Sequence, residues 1–154
     1  TDTACSEDAI LHAIEVVEKV SKIKNIIFLQ ATSPVRLSSD IDNAMEIFEE
    51  EKLDSLFSMS KLDDYCIWKN NNGRVESWSY DYRKRGRRQE REPLYLENGS
   101  IYIFKPQIIR NLKNRLGGKI GMYEMPLERS NEIDSIQDIE VCSYFMKKYY
   151  KECY

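Results

Sequence analysis

The sequence predicts an α/β domain organised around a parallel strand–helix–strand unit. The apolar run Ile26-Ile27-Phe28-Leu29 stops at a polar loop, Gln30-Ala31-Thr32-Ser33-Pro34. That is the pattern of a buried parallel strand whose carboxyl end opens into a pocket. The stretches before and after this strand repeat apolar residues at helical spacing. A second strand pattern at 55–59 follows the second helix, so strand, helix and strand alternate, as in a right-handed crossover. In open α/β sheets ligands bind just outside the strand carboxyl ends. The loop after residue 29 is therefore the first place to look for a site.

The elements follow in order. Ser6-Glu7-Asp8 is a helix start, a hydroxyl cap followed by acids at the positive end of the dipole. Ala9, Ile10, Ala13, Ile14, Val17 and Val20 give that helix a face for the sheet. A strand is expected at 26–30. Ser38-Ser39-Asp40 caps a second helix with Ile41, Ala44, Met45, Ile47 and Phe48 on its apolar face. Strands at 65–69 and 74–78 flank Asn70-Asn71-Asn72-Gly73, a hairpin signal. Residues 80–97 are almost entirely charged and aromatic, too polar for a core, and read as a loop or an arm that finds burial on a partner chain. Strand character returns at 99–104. Pro106 suits the first turn of a helix at 107–114. Gly117-Gly118 breaks the chain, and 120–125 reads as a strand. Ser135-Ile136-Gln137-Asp138 resembles a capping box opening a last helix, with Ile139, Val141, Cys142, Phe145 and Met146 as its buried candidates.

The chain has 154 residues, 42% of them hydrophobic and 32% charged, enough for one soluble globular domain spanning 1–154. A net charge of −3 gives no argument for nucleic acid or a membrane surface. Basic residues do concentrate locally, at Arg83, Lys84, Arg85, Arg87, Arg88 and Arg91. No apolar run has the length of a transmembrane helix, and no signal peptide is legible. Cys5, Cys66, Cys142 and Cys153 lack metal-site spacing and there is a single histidine, His12. Reduced thiols in a cytoplasm are expected. The chain opens on a helix at Thr1 with no first strand, so the expectation is that a strand–helix element precedes it.

Three places supply polar groups that strand-end geometry could unite: Gln30, Thr32 and Ser33; Arg88-Gln89 with Asn98-Gly99-Ser100-Ile101-Tyr102; and Glu132-Ile133-Asp134. Glu132 and Asp134, two apart, share a face of an extended segment. Two carboxylates suit Mg²⁺, which leaves its other positions to water and phosphate oxygens. The residues alone leave open that Asp134 and Asp138 merely favour the start of the last helix. They also leave open that Arg88 is one of six basic residues on a solvated arm, that Asn98-Gly99 is a plain turn, that Tyr102 is core, and that Arg36 pins its loop.

Five blocks in order change this balance. The runs Thr1–Ala4 through His12-Ala13, Leu29-Gln30-Ala31-Thr32-Ser33-Pro34-Val35-Arg36, Arg88-Gln89, Asn98-Gly99-Ser100-Ile101-Tyr102-Ile103 and Glu132-Ile133-Asp134-Ser135 with Asp138 together resemble the acylneuraminate cytidylyltransferases. The resemblance spans essentially the whole chain. It implies a Rossmann-like nucleotide-diphospho-sugar transferase fold, with a mainly parallel sheet, helices on both faces, a hairpin and arm insertion, and the first strand–helix element missing. It further implies a cytoplasmic, Mg²⁺-dependent, homodimeric enzyme with no nucleic-acid or membrane partner. The implied reaction transfers CMP from CTP to a sialic-type 2-keto sugar acid and releases pyrophosphate.

On this resemblance Asp134 matches the main metal-binding aspartate, and Glu132 stands where a second aspartate is usual. Gln30, Asn98 and Tyr102 match positions lining the sugar-acid pocket, beside Thr32 and Ser33. Arg88, and more loosely Lys69, match basic residues that reach the site from the partner subunit, making 61–97 a dimerisation arm. The family's basic, glycine-rich CTP loop has no match here, Ala31 stands where proline is common, and Asn114-Arg115-Leu116-Gly117 lacks an aromatic pair found in some sialic-acid enzymes. Two alternatives stand beside this reading: a non-catalytic remnant or dimerisation module, and a cytidylyltransferase for a legionaminic, pseudaminic or eight-carbon acid.

Overall fold

One long strand organises the molecule. β5 (Leu94–Phe104) lies between β1 (Ile26–Phe28) and β2 (Ser55–Leu62) and is antiparallel to both, while β6 (Ile120–Glu124) pairs parallel to β2. The order is β1-β5-β2-β6, so β1, β2 and β6 point one way and only β5 opposes them. The computed structural model describes residues 5–62 and 65–150, apart from the side chain of Arg88. The Thr1–Ala4 part of the resemblance and Cys153 lie outside the described residues.

The second half of β5 is buried on both faces, and its alternation divides the core. Ile101 and Ile103 meet Ala44 and Phe48 of α2 (Ser38–Glu50), with Leu53, Leu56, Tyr123 and Met125. Tyr102 and Phe104 point the other way, onto Ile10 and Ile14 of α1 (Ser6–Val17) and Ile109 of α3 (Pro106–Leu112). Helices thus cover both faces of the sheet. The fold is the Rossmann-like α/β arrangement expected, and Ile41, Met45 and Ile47 line the α2 face as their spacing requires.

Several details differ from expectation. β1 ends at Phe28 rather than residue 30, because Gln30 already accepts turn and side-chain bonds through its carbonyl. Helix α1 has Cys5 at its N-cap and no side-chain cap bond, since the Ser6 hydroxyl donates to Glu7 instead. Val17 and Val20, expected on the buried face, are 44% and 87% exposed. In α4 (Ile136–Tyr149) Cys142 is buried, whereas Ile139 and Val141 are exposed. β5 begins at Leu94, so residues 94–97, read as arm, extend the strand along Met59–Leu62 of β2. α3 stops at Leu112 because Lys113 turns left-handed, with φ 52°.

The hairpin of β3 (Trp68–Asn71) and β4 (Arg74–Ser77) forms its own two-stranded sheet. Asn72 and Gly73 both have positive φ, 51° and 88°, as the tight mirror-image hairpin turns require. Trp68 meets Tyr80 edge-on and Tyr82 at a tilt, with centroid separations of 5.9 and 5.4 Å, and Arg91 lies over Tyr80 at 5.1 Å. The charged stretch is therefore wrapped around an aromatic cluster of its own.

Candidate functional site

The register between β2 and β5 breaks where the site forms. Phe57 faces Tyr102 and Met59 faces Glu97, so β2 spends one residue, Ser58, where β5 spends four, residues 98–101. This enlarged bulge sets the Asn98-Gly99 backbone just past the carboxyl end of β1 and opposite the middle of β2. The Ser58 hydroxyl fills the gap, donating to Asn98 Oδ1 at 2.6 Å and accepting from the Ile101 N–H at 2.7 Å.

Three segments converge on the exposed edge of the bulge. Ser33 Oγ donates to Glu132 Oε1 at 3.1 Å and lies 3.4 Å from the Asn98 carbonyl oxygen. The Ile133 N–H donates to the Thr32 carbonyl at 2.8 Å, and Gln30 Nε2 donates to Thr32 Oγ1 at 3.1 Å. A Cβ on Gly99 would meet Glu132 Oε1, Gln30 Oε1 and Ser33 Oγ at 2.0, 3.2 and 3.2 Å. The structure thus brings Gln30, Ser33 and Glu132 together around one glycine, with Thr32 bonded to Gln30 and to the backbone after Glu132. Arg36 pins the loop: Nε donates to Ser100 Oγ and Nη2 to the Gln30 carbonyl. Burial lowers its pKa, yet it stays a cation, as arginine does.

Asn98 plays a different part. It is buried at 2% exposure, and its amide nitrogen reaches Ser60 Oγ and Ser130 Oγ at 3.3 and 3.4 Å. Its Oδ1 also accepts from the Ser100 N–H. All of these bonds lie within the fold, so its side chain braces the bulge. Tyr102 lies in the core cluster under α1 and α3, its hydroxyl donating to Glu97 Oε1. Burial, then the bond to Glu97, pushes its pKa upward, so the phenol remains a neutral donor.

Asp134 is exposed, and its backbone N–H donates to Asp138 Oδ2 at 3.1 Å. Asp138 also accepts from the Ser135 N–H and hydroxyl, so α4 has the expected capping contact. Among the described residues no three His, Cys, Asp or Glu side chains form a cluster that could hold a metal. Mg²⁺ needs only one or two carboxylates when water and phosphate complete its shell. Glu132, steered by Ser33, and the solvent-facing Asp134 fit that donor set.

Lys69 has its described contact away from this junction. Lys69 sits on β3 with Nζ 5.1 Å from the Trp78 ring. Arg88 begins a short 3-10 turn at Arg88–Glu90, and its side chain lies outside the described residues. Sequence reasoning missed Ser58, Ser60 and Ser130. The alternation of Ser58 and Ser60 in an apolar strand was the available signal, since every second residue faces the same side.

The fold is Rossmann-like, and polar groups gathered at strand carboxyl ends are where such α/β sheets bind ligands. Several of its relatives are cytidylyltransferases by name. The chain is 28% identical over 142 residues to the N-acylneuraminate cytidylyltransferase of Streptococcus agalactiae serotype III, covering 90% of this chain and 33% of that protein. It is 31% identical over 136 residues to N-acylneuraminate cytidylyltransferase A of Danio rerio, covering 86% of this chain and 31% of the relative. It is 25% identical over 163 residues to the post-translational flagellin modification protein B of Campylobacter coli, covering 96% and 64%. The resemblance to acylneuraminate cytidylyltransferases is borne out by these similarities. The chain spans about a third of the length of the cytidylyltransferases it matches. No family model matches it.

Proposed function

We propose that this chain carries the acceptor side of a sugar-acid cytidylyltransferase, joining CMP from CTP to a sialic-type 2-keto acid with release of pyrophosphate. The observation that carries the reading is the junction of Ser33, Gln30 and Glu132 on Gly99 at the strand ends. The anomeric hydroxyl of the acid attacks the α-phosphorus of CTP, and the bond to pyrophosphate breaks. Gln30 and Thr32 offer neutral donors and acceptors to a polyhydroxylated acid. Neutral Tyr102 adds a wall beneath the bulge. Glu132 and Asp134 are the residues that would hold Mg²⁺, which when bound offsets the charge on phosphate oxygens.

Arg88 and Lys69 enter this scheme from a second copy. The arm of residues 61–97 carries both, and its exposed Trp68, Trp78 and Tyr82 are side chains enriched at protein interfaces. A dimer is expected at micromolar concentration by light scattering, and a monomer there would remove the arm from this role. The free thiols of Cys5, Cys66 and Cys142 fit a cytoplasmic reaction, and among the described residues no helix is long and apolar enough to cross a membrane.

A second reading keeps the chemistry and changes the acceptor. The similarity extends to a protein whose name specifies flagellin modification and not N-acylneuraminate. One assay separates these outcomes: pyrophosphate release with CTP, Mg²⁺ and a panel of sialic, legionaminic, pseudaminic and eight-carbon acids. Release with one acid names the acceptor. No release from the folded chain means that this piece alone is not an enzyme.

A further inference from the structure

A regular β-strand keeps residues five apart on opposite faces, roughly 17 Å from one another. Glu97 and Tyr102 break that rule, because the Tyr102 hydroxyl donates to Glu97 Oε1 at 2.5 Å. The bulge makes the bond possible. Across β2 their partners are Met59 and Phe57, two residues apart and so on one face. The bond therefore belongs to the bulged register alone, and it closes a ring around Asn98, Gly99, Ser100 and Ile101. Its two ends differ. Tyr102 is buried and fixed, its ring centroid 6.2 Å from that of Phe28 and 4.5 Å from the guanidinium carbon of Arg115, which is itself paired with Glu7 of α1. Glu97 is exposed, on the half of β5 that runs toward the arm, and the Tyr102 hydroxyl is what holds its carboxylate.

We infer that Glu97 is a positioning residue whose bond to Tyr102 holds the bulge in the shape that presents Gly99 to Gln30, Ser33 and Glu132. Glycine has more backbone freedom to lose than any other residue, so a chain that turns through Gly99 needs restraint from its flanks. Asn98 and Ser58 supply part of it, through bonds to Ser60, Ser130 and the Ile101 N–H. None of those side-chain bonds involves the half of β5 before the bulge. The Glu97–Tyr102 bond does, and ties the last residue of that half to the core. The hold matters because a misplacement of about 1 Å at a reacting site can cost about 100-fold in rate. The place of Glu97 in the reaction rests on the cytidylyltransferase reading, whereas its place in the bulge does not.

The test begins with amide hydrogen exchange on the intact protein. It follows the Ser100 N–H, bonded to Asn98 Oδ1, and the Ile101 N–H, bonded to Ser58 Oγ. Glu97→Ala should lower protection at both by at least about 10-fold, the scale of one hydrogen bond to a charged group, and lower it less at Ile103 and Phe104. A bond that only stabilised the fold would lower all four by one factor. Glu97→Gln, whose amide oxygen still accepts, should recover most of the loss. In a Tyr102→Phe background Glu97→Ala should add little, since the bond is already gone. With CTP, Mg²⁺ and the sugar acid, kcat/KM should fall at least about 10-fold in Glu97→Ala and recover in Glu97→Gln. Unchanged protection at Ser100 and Ile101 would overturn the inference. Lost protection with native kcat/KM would overturn the role of Glu97 at the site and leave the cytidylyltransferase reading intact. A native protein that turns over no sugar acid removes that reading, and exchange alone then decides whether Glu97 holds the bulge.

Discussion

Gly99 and Glu132 occupy each other's space: a methyl group on Gly99 would lie 2.0 Å from the Glu132 carboxylate oxygen. Gly99 also has φ +65°, a conformation that costs other residues about 1–2 kcal/mol. Gly99→Ala should therefore destabilise the fold by at least that amount and expel Glu132 from its contact with Ser33. The double variant Gly99→Ala with Glu132→Ala should recover part of the loss, leaving the backbone strain. Denaturant unfolding of the two singles and the double reads this directly. Additive losses would mean that the two residues do not interfere.

Asp134 differs from Glu132 in holding nothing together. Its carboxylate faces solvent, and only its backbone N–H enters the α4 cap. Asp134→Ala should leave stability within about 0.5 kcal/mol while lowering turnover by about 100-fold or more, the scale of a lost metal ligand. Circular dichroism melts and pyrophosphate release check the two halves. Normal turnover would exclude Asp134 from metal binding.

A buried ion pair locks the opposite side of the sheet. Arg129 Nη1 bonds Asp40 Oδ2, with the two side chains 8% and 3% exposed, and Tyr123 donates to Asp40 Oδ1 at 2.9 Å. Asp40 also accepts from the Leu37 N–H at the start of α2. Asp40→Ala strands a buried guanidinium and should cost about 3–5 kcal/mol in urea unfolding. Replacing both partners, as in Asp40→Leu with Arg129→Met, should cost less than Asp40→Ala alone.

Acid should weaken the clasp between α1 and Arg115. Burial works to raise the pKa of Glu7, but its hydrogen bonds to backbone, Cys5 and Ser6 and the charge of Arg115 outweigh it, for a net shift below the ordinary 4.5. A depressed folded pKa means that the unfolded chain protonates first as pH falls. The contribution of Glu7 is complete above the ordinary value and disappears as pH drops through the lowered one. The difference in Tm between the native protein and Glu7→Gln should thus narrow between about pH 5 and about pH 3. A constant difference across that range would show that the Glu7 charge contributes nothing.

The order of strands and helices was legible because periodicity survives burial. Ala44 and Phe48 at helical spacing, and Ile101 and Ile103 alternating with Tyr102 and Phe104, mark their faces without help from the rest of the chain. The bulge was not legible. Asn98-Gly99 carries the composition of a turn, and only pairing with Ser58 across β2 turns it into an irregularity inside one strand. Residues 94–97 read as arm for a related reason: Tyr95 and Leu96 stay exposed, so no buried face announces the strand. The meeting of Gln30, Thr32 and Ser33 with Glu132 was anticipated from strand-end geometry. The diversion of Asn98 into a buried hydroxyl network was not, because Ser60 and Ser130 are remote in sequence. Arg36 could pin its loop or touch substrate on sequence alone, and its bonds to Ser100 and the Gln30 carbonyl select the first.

The four-against-one mismatch opposite Ser58 separates β5 into two independently registered halves. Residues 101–104 are indexed by the core, whereas 94–97 are indexed by their pairing near the hairpin arm. A residue gained or lost in the arm need not rotate Ile101 or Tyr102 onto the wrong face of the sheet, because slack in the bulge can absorb the phase error. The arm is therefore free to change length during divergence while the hydrophobic layers keep their alignment.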